Sequence, residues 1–414
     1  MRCGKWLAVL VCVALFITGC KKHHQETPTM TTQGTFADDL AFLKQHTDVI
    51  VLADGDARLA VVPQYQGRVM TSTAGGDTGL SFGWVNRELI ASGELQEHIN
   101  VFGGEDRFWL GPEGGQFSIF FKKDVPFDMD HWFTPAPIDT EPFELVSSTA
   151  DSAEFKKAMT VENYSGMKFD LQVDRVIRLL KQADAVATLG VTPPAGLKMV
   201  AFSSVNKITN TGDQPWTKQG GLLSIWILGM FNPSDATTIV VPFNTGPEAD
   251  LGPIVNDAYF GKVPPERLVV KPEQGVLYFS GDGRYRSKIG LTPQRAKPVC
   301  GSYDADNKVL TIVVYTKPQG ATDYVNSMWE LQDEPFAGDV VNSYNDGPAE
   351  AGGKPLGPFY ELETSSPAAV LAPGESLSHS HTTIHLVGQE TDLDAVAKAV
   401  LGATTAEIKS ALPK

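Results

Sequence analysis

Cysteine is scarce in this chain. There are four among 414 residues, and Cys3, Cys12 and Cys20 all fall in the first twenty. Only Cys300 lies in the body of the sequence, so no intramolecular disulfide can staple the fold. No histidine lies near Cys300 in sequence, which favours a buried thiol over a reactive nucleophile. Basic residues are also short, with 34 Lys and Arg against 49 Asp and Glu, a formal charge of −15. Such a surface repels nucleic acid and anionic lipid, and no Lys/Arg cluster offsets it. A neutral or cationic partner is the expectation. Long apolar runs are lacking: residues 6–17 form a run too short to span a bilayer. There is no Walker loop, no Gly-x-Ser-x-Gly elbow and no His-Glu-x-x-His. No repeat of solenoid or propeller length appears.

What is present begins with a leader. Arg2 and Lys5 precede the apolar run, which ends Ile17-Thr18-Gly19-Cys20. Small residues directly before a cysteine resemble the bacterial lipoprotein lipobox. The resemblance implies cleavage of residues 1–19 as a signal peptide and lipidation of Cys20, which would anchor the chain to a membrane of the cell envelope. Losing Arg2 and Lys5 takes the formal charge from −15 to −17. Residues 20–35 are polar and read as a flexible tether.

The body reads as strands. Residues 48–53, 57–63 and 68–73 are apolar segments split by Asp54-Gly55-Asp56 and Gln66-Gly67, a hairpin series. In 168–180, Phe169, Leu171 and Val173 alternate with Lys168, Asp170, Gln172 and Asp174, a half-buried strand. Segments near 143–146, 153–161, 199–209, 221–230, 237–243, 275–280 and 308–316 extend the pattern. Helical periodicity appears only over 36–45 and, in the tail of 391–414, over 392–401 and 405–412. One large antiparallel β domain over 36–390, with short helices near both ends, accounts for this best, and a monomer is expected.

Three stretches hold the candidate chemistry. In 342–386, Glu361 and Glu363 share a face of one strand, and His379, His381 and His385 share a face of another. The histidines could supply an acid near neutral pH, bind a divalent metal, or simply hydrogen-bond their neighbours. No other cofactor is indicated. Asn342, Tyr344 and Asn345 form a polar segment leading into the same region. In 103–115, Gly103 and Gly104 would let backbone approach a ligand. Glu105, Arg107 and Glu113 could hydrogen-bond hydroxyls, and Trp109 could stack on a sugar face or sit in the core. Trp226 reads as core. In 281–288, Arg284, Arg286 and Lys288 put three cations in a turn region; Arg284 and Lys288 could bind an acidic sugar or be solvated charge.

Val62-Pro63-Gln64-Tyr65-Gln66-Gly67-Arg68-Val69, the Gly103-to-Glu113 stretch, Leu362-Glu363-Thr364-Ser365 and Pro373-Gly374-Glu375 occur in this order. Together they resemble the aldose 1-epimerase (galactose mutarotase) superfamily, and the whole chain resembles an uncharacterised group of bacterial lipoproteins placed there. The resemblance implies a large β-supersandwich with a carbohydrate cleft, in which Arg68 of the early sheet is a substrate-binding candidate, as are Asn342, Tyr344 and Asn345. It also implies ring opening at the anomeric carbon, with a glutamate as base and a histidine as acid. By motif the base is Glu363, with Glu361 as its rival. The family's Asn-x-x-x-His-Gly-Gly signature is absent around His98, so His379 or His381 would have to serve as the acid. A non-catalytic glycan-binding lipoprotein, or a glycan lyase or hydrolase on the same scaffold, are the alternatives.

Overall fold

The structure, a computed structural model, describes residues 34–349 and 352–413. The expected signal peptide, the lipidation site Cys20 and the tether up to residue 33 lie outside the described residues. Phe36–His46 forms the first helix, and Thr35 caps it by accepting from the Asp38 backbone N–H. Leu43 and Phe36 plug that helix into the first strands.

Antiparallel sheets dominate, as the alternating segments predict. A three-stranded sheet joins β1 (Ile50–Asp54), β2 (Ala57–Val62) and β3 (Arg68–Thr73). The larger two sheets interleave along the chain: β4 (Arg107–Gly111), β5 (Glu144–Ser148), β6 (Ser152–Glu162), β7 (Lys168–Leu179), β8 (Lys198–Asn210) and β9 (Ser224–Phe231). Then come β10 (Thr237–Pro242), β11 (Leu268–Lys271), β12 (Val276–Ser280), β13 (Ser287–Leu291), β14 (Val299–Asp304) and β15 (Val309–Tyr315). Last are β16 (Val341–Asn345), β17 (Tyr360–Ser365) and β18 (Ser376–Val387). Ten strands pair in the order β11-β12-β10-β14-β15-β18-β8-β7-β6-β5, and five in the order β13-β16-β17-β9-β4.

The five-stranded sheet packs face to face on the ten-stranded one. Phe231, Ile289, Tyr360 and Leu362 from the smaller sheet meet Ile239, Val241, Phe279 and Val313 from the larger. Each large apolar side chain buried this way contributes about 1.5–3 kcal/mol. Buried Cys300 belongs to this layer, and burial pushes its thiol up to about 12, which fits a bystander. The far side of the ten-stranded sheet is covered by helices Glu390–Leu401 and Thr405–Ser410, whose Leu393, Val396, Leu401 and Ile408 lie on Ala201, Val240, Ile312 and Ile384. Among the described residues no helix is long and apolar enough to cross a membrane.

The inter-sheet layer is not wholly apolar, and this decides where the histidines go. Arg175 and Asp106 are both fully buried and pair at 2.6 Å. His379 Nε2 and His381 Nδ1 lie 2.8 and 2.9 Å from the one Thr364 Oγ1. His385 lies 2.9 Å from Thr311 Oγ1 and 2.8 Å from Glu105 Oε2. The face shared by these side chains on β18 therefore looks inward, toward the smaller sheet.

Candidate functional site

Antiparallel register fixes which side chains share the outer face of the five-stranded sheet, because residues directly opposite in a ladder lie on one side. One row runs Lys288, Tyr344, Glu361, Met230. The next runs Asn342, Glu363, Leu228, Arg107. A third runs Ser365, Trp226, Trp109. Loops close over these rows to leave a cleft of about 230 Å³. Trp109, Trp132, Trp226 and Trp329 line it, with Arg107, Lys288, Glu113 and Glu361 as its polar walls.

Glycines place the overhanging loops. A Cβ on Gly114 would stand 2.3 Å from the Met328 carbonyl oxygen, so only glycine lets the 325–332 segment approach. Trp329 is thereby set to donate its indole N–H to Glu113 Oε1 at 3.2 Å. Its ring stacks near Trp132, with centroids 5.8 Å apart. Gly103 and Gly104 do a different job from the one expected. Both have positive φ, and a Cβ would meet the Trp84 carbonyl oxygen at 2.1 Å or the Arg68 side chain at 2.6 Å. They serve internal packing against this chain's own backbone and Arg68.

The charged groups are tightly held. Lys288 Nζ and Trp226 Nε1 each donate to Glu363 Oε2 at 3.0 Å. Oε1 of Glu363 has no partner. Burial works against the Lys288 ammonium, but Glu363, Glu113 and Glu361 together leave its pKa above the ordinary lysine value. Arg107 Nη2 donates to Glu361 Oε1 at 3.1 Å, and its guanidinium stacks on Trp109 at 4.1 Å. Among the described residues Nε and Nη1 of Arg107 are buried without a partner. Burial outweighs this single contact and pushes the Glu361 carboxyl up to about 8. Glu113 is pushed up as well, again by burial. A carboxyl that stays protonated near neutral pH can act as a general acid.

The structure thus brings together Glu361, Arg107, Trp109, Glu113 and Tyr344 on the cleft lining. Glu363 lies behind two lining residues, Trp226 and Lys288. Asn342 lines a small polar recess beside them with Ser224, Tyr259 and Asp339. Arg68, Asn345 and Glu105 lie elsewhere. Arg68 is buried, donating to the Gly103 carbonyl and to Gln66 Oε1. Asn345 accepts from the Gly283 backbone N–H and donates to the Tyr285 carbonyl. Glu105 accepts from Ser72 Oγ and faces His385.

The expected union of glutamates and histidines does not form. Thr364, which touches His379 and His381, sits between Glu363 and Ser365 in β17 and so points to the opposite face. The two sets are back to back across one sheet. Burial also holds His379 down to about 3 and His381 to about 4. They are neutral near pH 7 and remote from the cleft. The metal expectation meets the same geometry: His379 and His381 converge on Thr364 while His385 turns to Glu105. Among the described residues no group of three or more His, Cys, Asp or Glu is arranged to hold a metal.

Several lining residues had no sequence signal of their own. Trp132, beside Phe133, and Trp329 lie in loops without a period. By sequence Lys288 reads as a cation in a turn, but it lies in β13, and its pairing with Glu363 depends on strands far apart in sequence. Of its neighbours, Arg284 points away to a surface pair with Asp235, whereas Arg286 lines the cleft.

Residues 34–412 match the model of a family of unknown function, DUF6786. No curated protein matches the chain. Among solved structures the chain is similar to a candidate aldose 1-epimerase from Escherichia coli K12, at 15% identity and a TM-score of 0.49, covering 83% of this chain and 99% of that one. It is similar also to a galactose mutarotase-like protein from Lactobacillus casei ATCC 334, at 9% identity and a TM-score of 0.44, covering 82% and 100%.

Proposed function

The chain belongs to the DUF6786 family, whose function is unknown, and we propose that its cleft binds a carbohydrate. The observation that carries this reading is the combination of four tryptophans with buried polar atoms that have no partner. Among the described residues Arg107 Nε and Nη1, Trp109 Nε1 and Trp132 Nε1 on the cleft wall are in that state, as is Glu363 Oε1 behind it. An unmet buried donor or acceptor costs about 1–3 kcal/mol. A ligand rich in hydroxyls, with apolar C–H faces for the indoles, relieves that cost atom by atom.

The chemistry we propose is ring opening of an aldose at the anomeric carbon, as the motif resemblance implies. Glu361 faces the cleft and is protonated near neutral pH, so it gives its proton to the ring oxygen. Glu363 receives the proton of the anomeric hydroxyl on its free Oε1. The C1–O5 bond breaks as the C1=O bond forms, and reversal on the other face of C1 yields the other anomer. Glu361 replaces the histidine expected from the resemblance as the acid. Such acid–base assistance is worth about 10²–10⁴ in rate. A second reading, binding without turnover, is favoured by one fact: Glu363 has no exposed surface and is covered by Trp226 and Lys288.

Magnetisation-exchange NMR on α and β anomers decides between them. The catalytic reading requires exchange faster than the spontaneous rate, lost in both Glu361→Gln and Glu363→Gln. Saturable binding with no added exchange leaves the binding reading standing alone. We also propose that Cys20 carries lipid and tethers the protein to a membrane of the cell envelope, on the strength of the leader sequence. Mass spectrometry of the N-terminal peptide, with Cys20→Ala as control, tests this; an unmodified Cys20 refutes it.

A further inference from the structure

Three cations on the cleft wall share an arrangement that the reading above does not use. Each is seated on an aromatic ring. The Arg107 guanidinium lies 4.1 Å from the Trp109 centroid, Lys288 Nζ lies 4.7 Å from that of Trp226, and the Arg286 guanidinium lies 4.0 Å from that of Phe260. An aromatic face orients a cation without neutralising it. Arg286 is half-buried, and among the described residues its guanidinium has no hydrogen bond or ion pair. Arg107 is almost wholly buried and keeps two N–H donors unmet.

The acids of the cleft, by contrast, are engaged. Glu361 accepts from Arg107, Glu113 from Trp329, and Glu363 from Lys288 and Trp226. Asp346 accepts from the Tyr344 hydroxyl and the Gly357 backbone N–H. Among the buried unmet atoms in and beside the cleft, donors on Arg107, Trp109 and Trp132 outnumber the one dedicated acceptor, Glu363 Oε1. A neutral hydroxyl can accept from such donors, but it brings no charge to Arg286, which has no ion pair among the described residues, and it leaves Arg107 with Glu361 as its one ionic partner. A planar or tetrahedral oxyanion answers both demands, since guanidinium forks match carboxylate, sulfate and phosphate oxygens. Burial raises the pKa of Glu113 and Asp346 and pushes Glu361 up to about 8, a direction that weakens the opposition to an anion.

We infer that the sugar taken by this cleft is acidic, with its anionic oxygens held between Arg107 and Arg286. This rests on the carbohydrate reading and narrows it. It also runs against the charge of the whole chain, whose formal value is −15. Cations seated on the cleft wall of an acidic protein select by local field and contribute no long-range attraction.

The test is calorimetric titration of the full chain in detergent with matched sugars. Galacturonate and glucuronate oligomers are compared with galactose and glucose oligomers of the same linkage, and hexose 6-phosphates and 6-sulfates with the free hexoses. Charge-assisted bonds in a half-buried site predict at least about a 10-fold preference for one acidic series over its neutral match. Arg286→Gln is expected to remove most of that preference, while Arg286→Lys keeps part of it. Arg286 is half-buried, so both variants should fold, which an unchanged Tm checks, and the quantity read is the ratio of acidic to neutral affinity in each protein. Preference for the uronates alone identifies a carboxylate, and preference for the esters alone identifies a phosphate or sulfate. Equal binding of neutral and acidic sugars overturns the inference and leaves the carbohydrate reading intact. A preference untouched by Arg286→Gln overturns the placement. Absence of binding to any sugar overturns both.

Discussion

The buried pair of Lys288 and Glu363 gives the sharpest prediction about how the cleft is held. Nζ and Oε2 are 3.0 Å apart, with side chains 9% and 0% exposed. Replacing Lys288 by Met removes the ammonium but leaves the carboxylate buried, with only the Trp226 indole N–H as partner. Breaking a buried pair from one side costs about 3–5 kcal/mol. Unfolding entropy of about 2.1 cal/mol/K per residue, over roughly 380 ordered residues, gives about 0.8 kcal/mol/K. Lys288→Met should therefore lower Tm by about 4–6 °C at pH 7. Glu363→Gln leaves the ammonium stranded and should cost a similar amount. The double variant Lys288→Met/Glu363→Gln strands neither charge, so it should be more stable than the two single losses imply, by about 1–3 kcal/mol of coupling. Scanning calorimetry of the four proteins closes the cycle. Losses that add to within about 0.5 kcal/mol would refute the reasoning. The folded pKa of Lys288 is raised above 10.5. Its contribution is thus fully present below pH 10.5 and fades only as pH climbs through the folded value.

The remaining predictions concern protons and rings. Glu361, pushed up to about 8, binds a proton in the folded protein that it has lost in the unfolded chain between about pH 4.5 and 8, so it lowers stability as pH rises through that window; Glu361→Gln should flatten that part of a Tm-against-pH curve. If Glu361 is the acid, anomer exchange should fall as pH rises through about 8, and Glu361→Gln should abolish that limb of the rate profile along with most of the rate. His379 and His381, held down to about 3 and 4, act with the opposite sign: the unfolded chain takes up protons first, so stability drops as pH falls below 6.5. Urea titrations at pH 7 and pH 5 should show this loss reduced in His381→Gln. Trp329→Ala should weaken sugar binding by about 1 kcal/mol, roughly fivefold, through the lost stacking surface, with only a small change in Tm because Trp329 is partly exposed.

Much of the scaffold is legible in the sequence because its signal is local. The alternation at 168–180 reappears in β7, where Phe169, Leu171 and Val173 are buried and Lys168 and Asp170 are exposed. Glu361 and Glu363 share a face because the period of a strand is two. What a single strand cannot tell is which face looks inward. Thr364 and His379 are both polar, yet both lie in the inter-sheet layer, so of the roles open to the histidines it is hydrogen bonding to neighbours that the structure shows. Fully buried strands hide for the opposite reason: in β9 every residue is buried, so no alternation marks Trp226 as facing the cleft. Arg107 meets Glu361 across 254 positions of sequence, and Lys288 meets Glu363 across 75. Those contacts follow from strand order, which is set by the packing of the whole sheet. Trp132 and Trp329 left no hint of the cleft, since both lie in loops and also pack on the core around Phe120 and Phe121.

The central claim is that the cleft framed by Trp109, Trp132, Trp226 and Trp329 takes a sugar. Intrinsic tryptophan fluorescence of the full chain, titrated with neutral and acidic mono- and oligosaccharides, tests it most directly. A saturable change with at least one series, weakened by Trp329→Ala, is the predicted result. No change with any sugar up to about 10 mM, where even binding worth only about −3 kcal/mol would register, would contradict it.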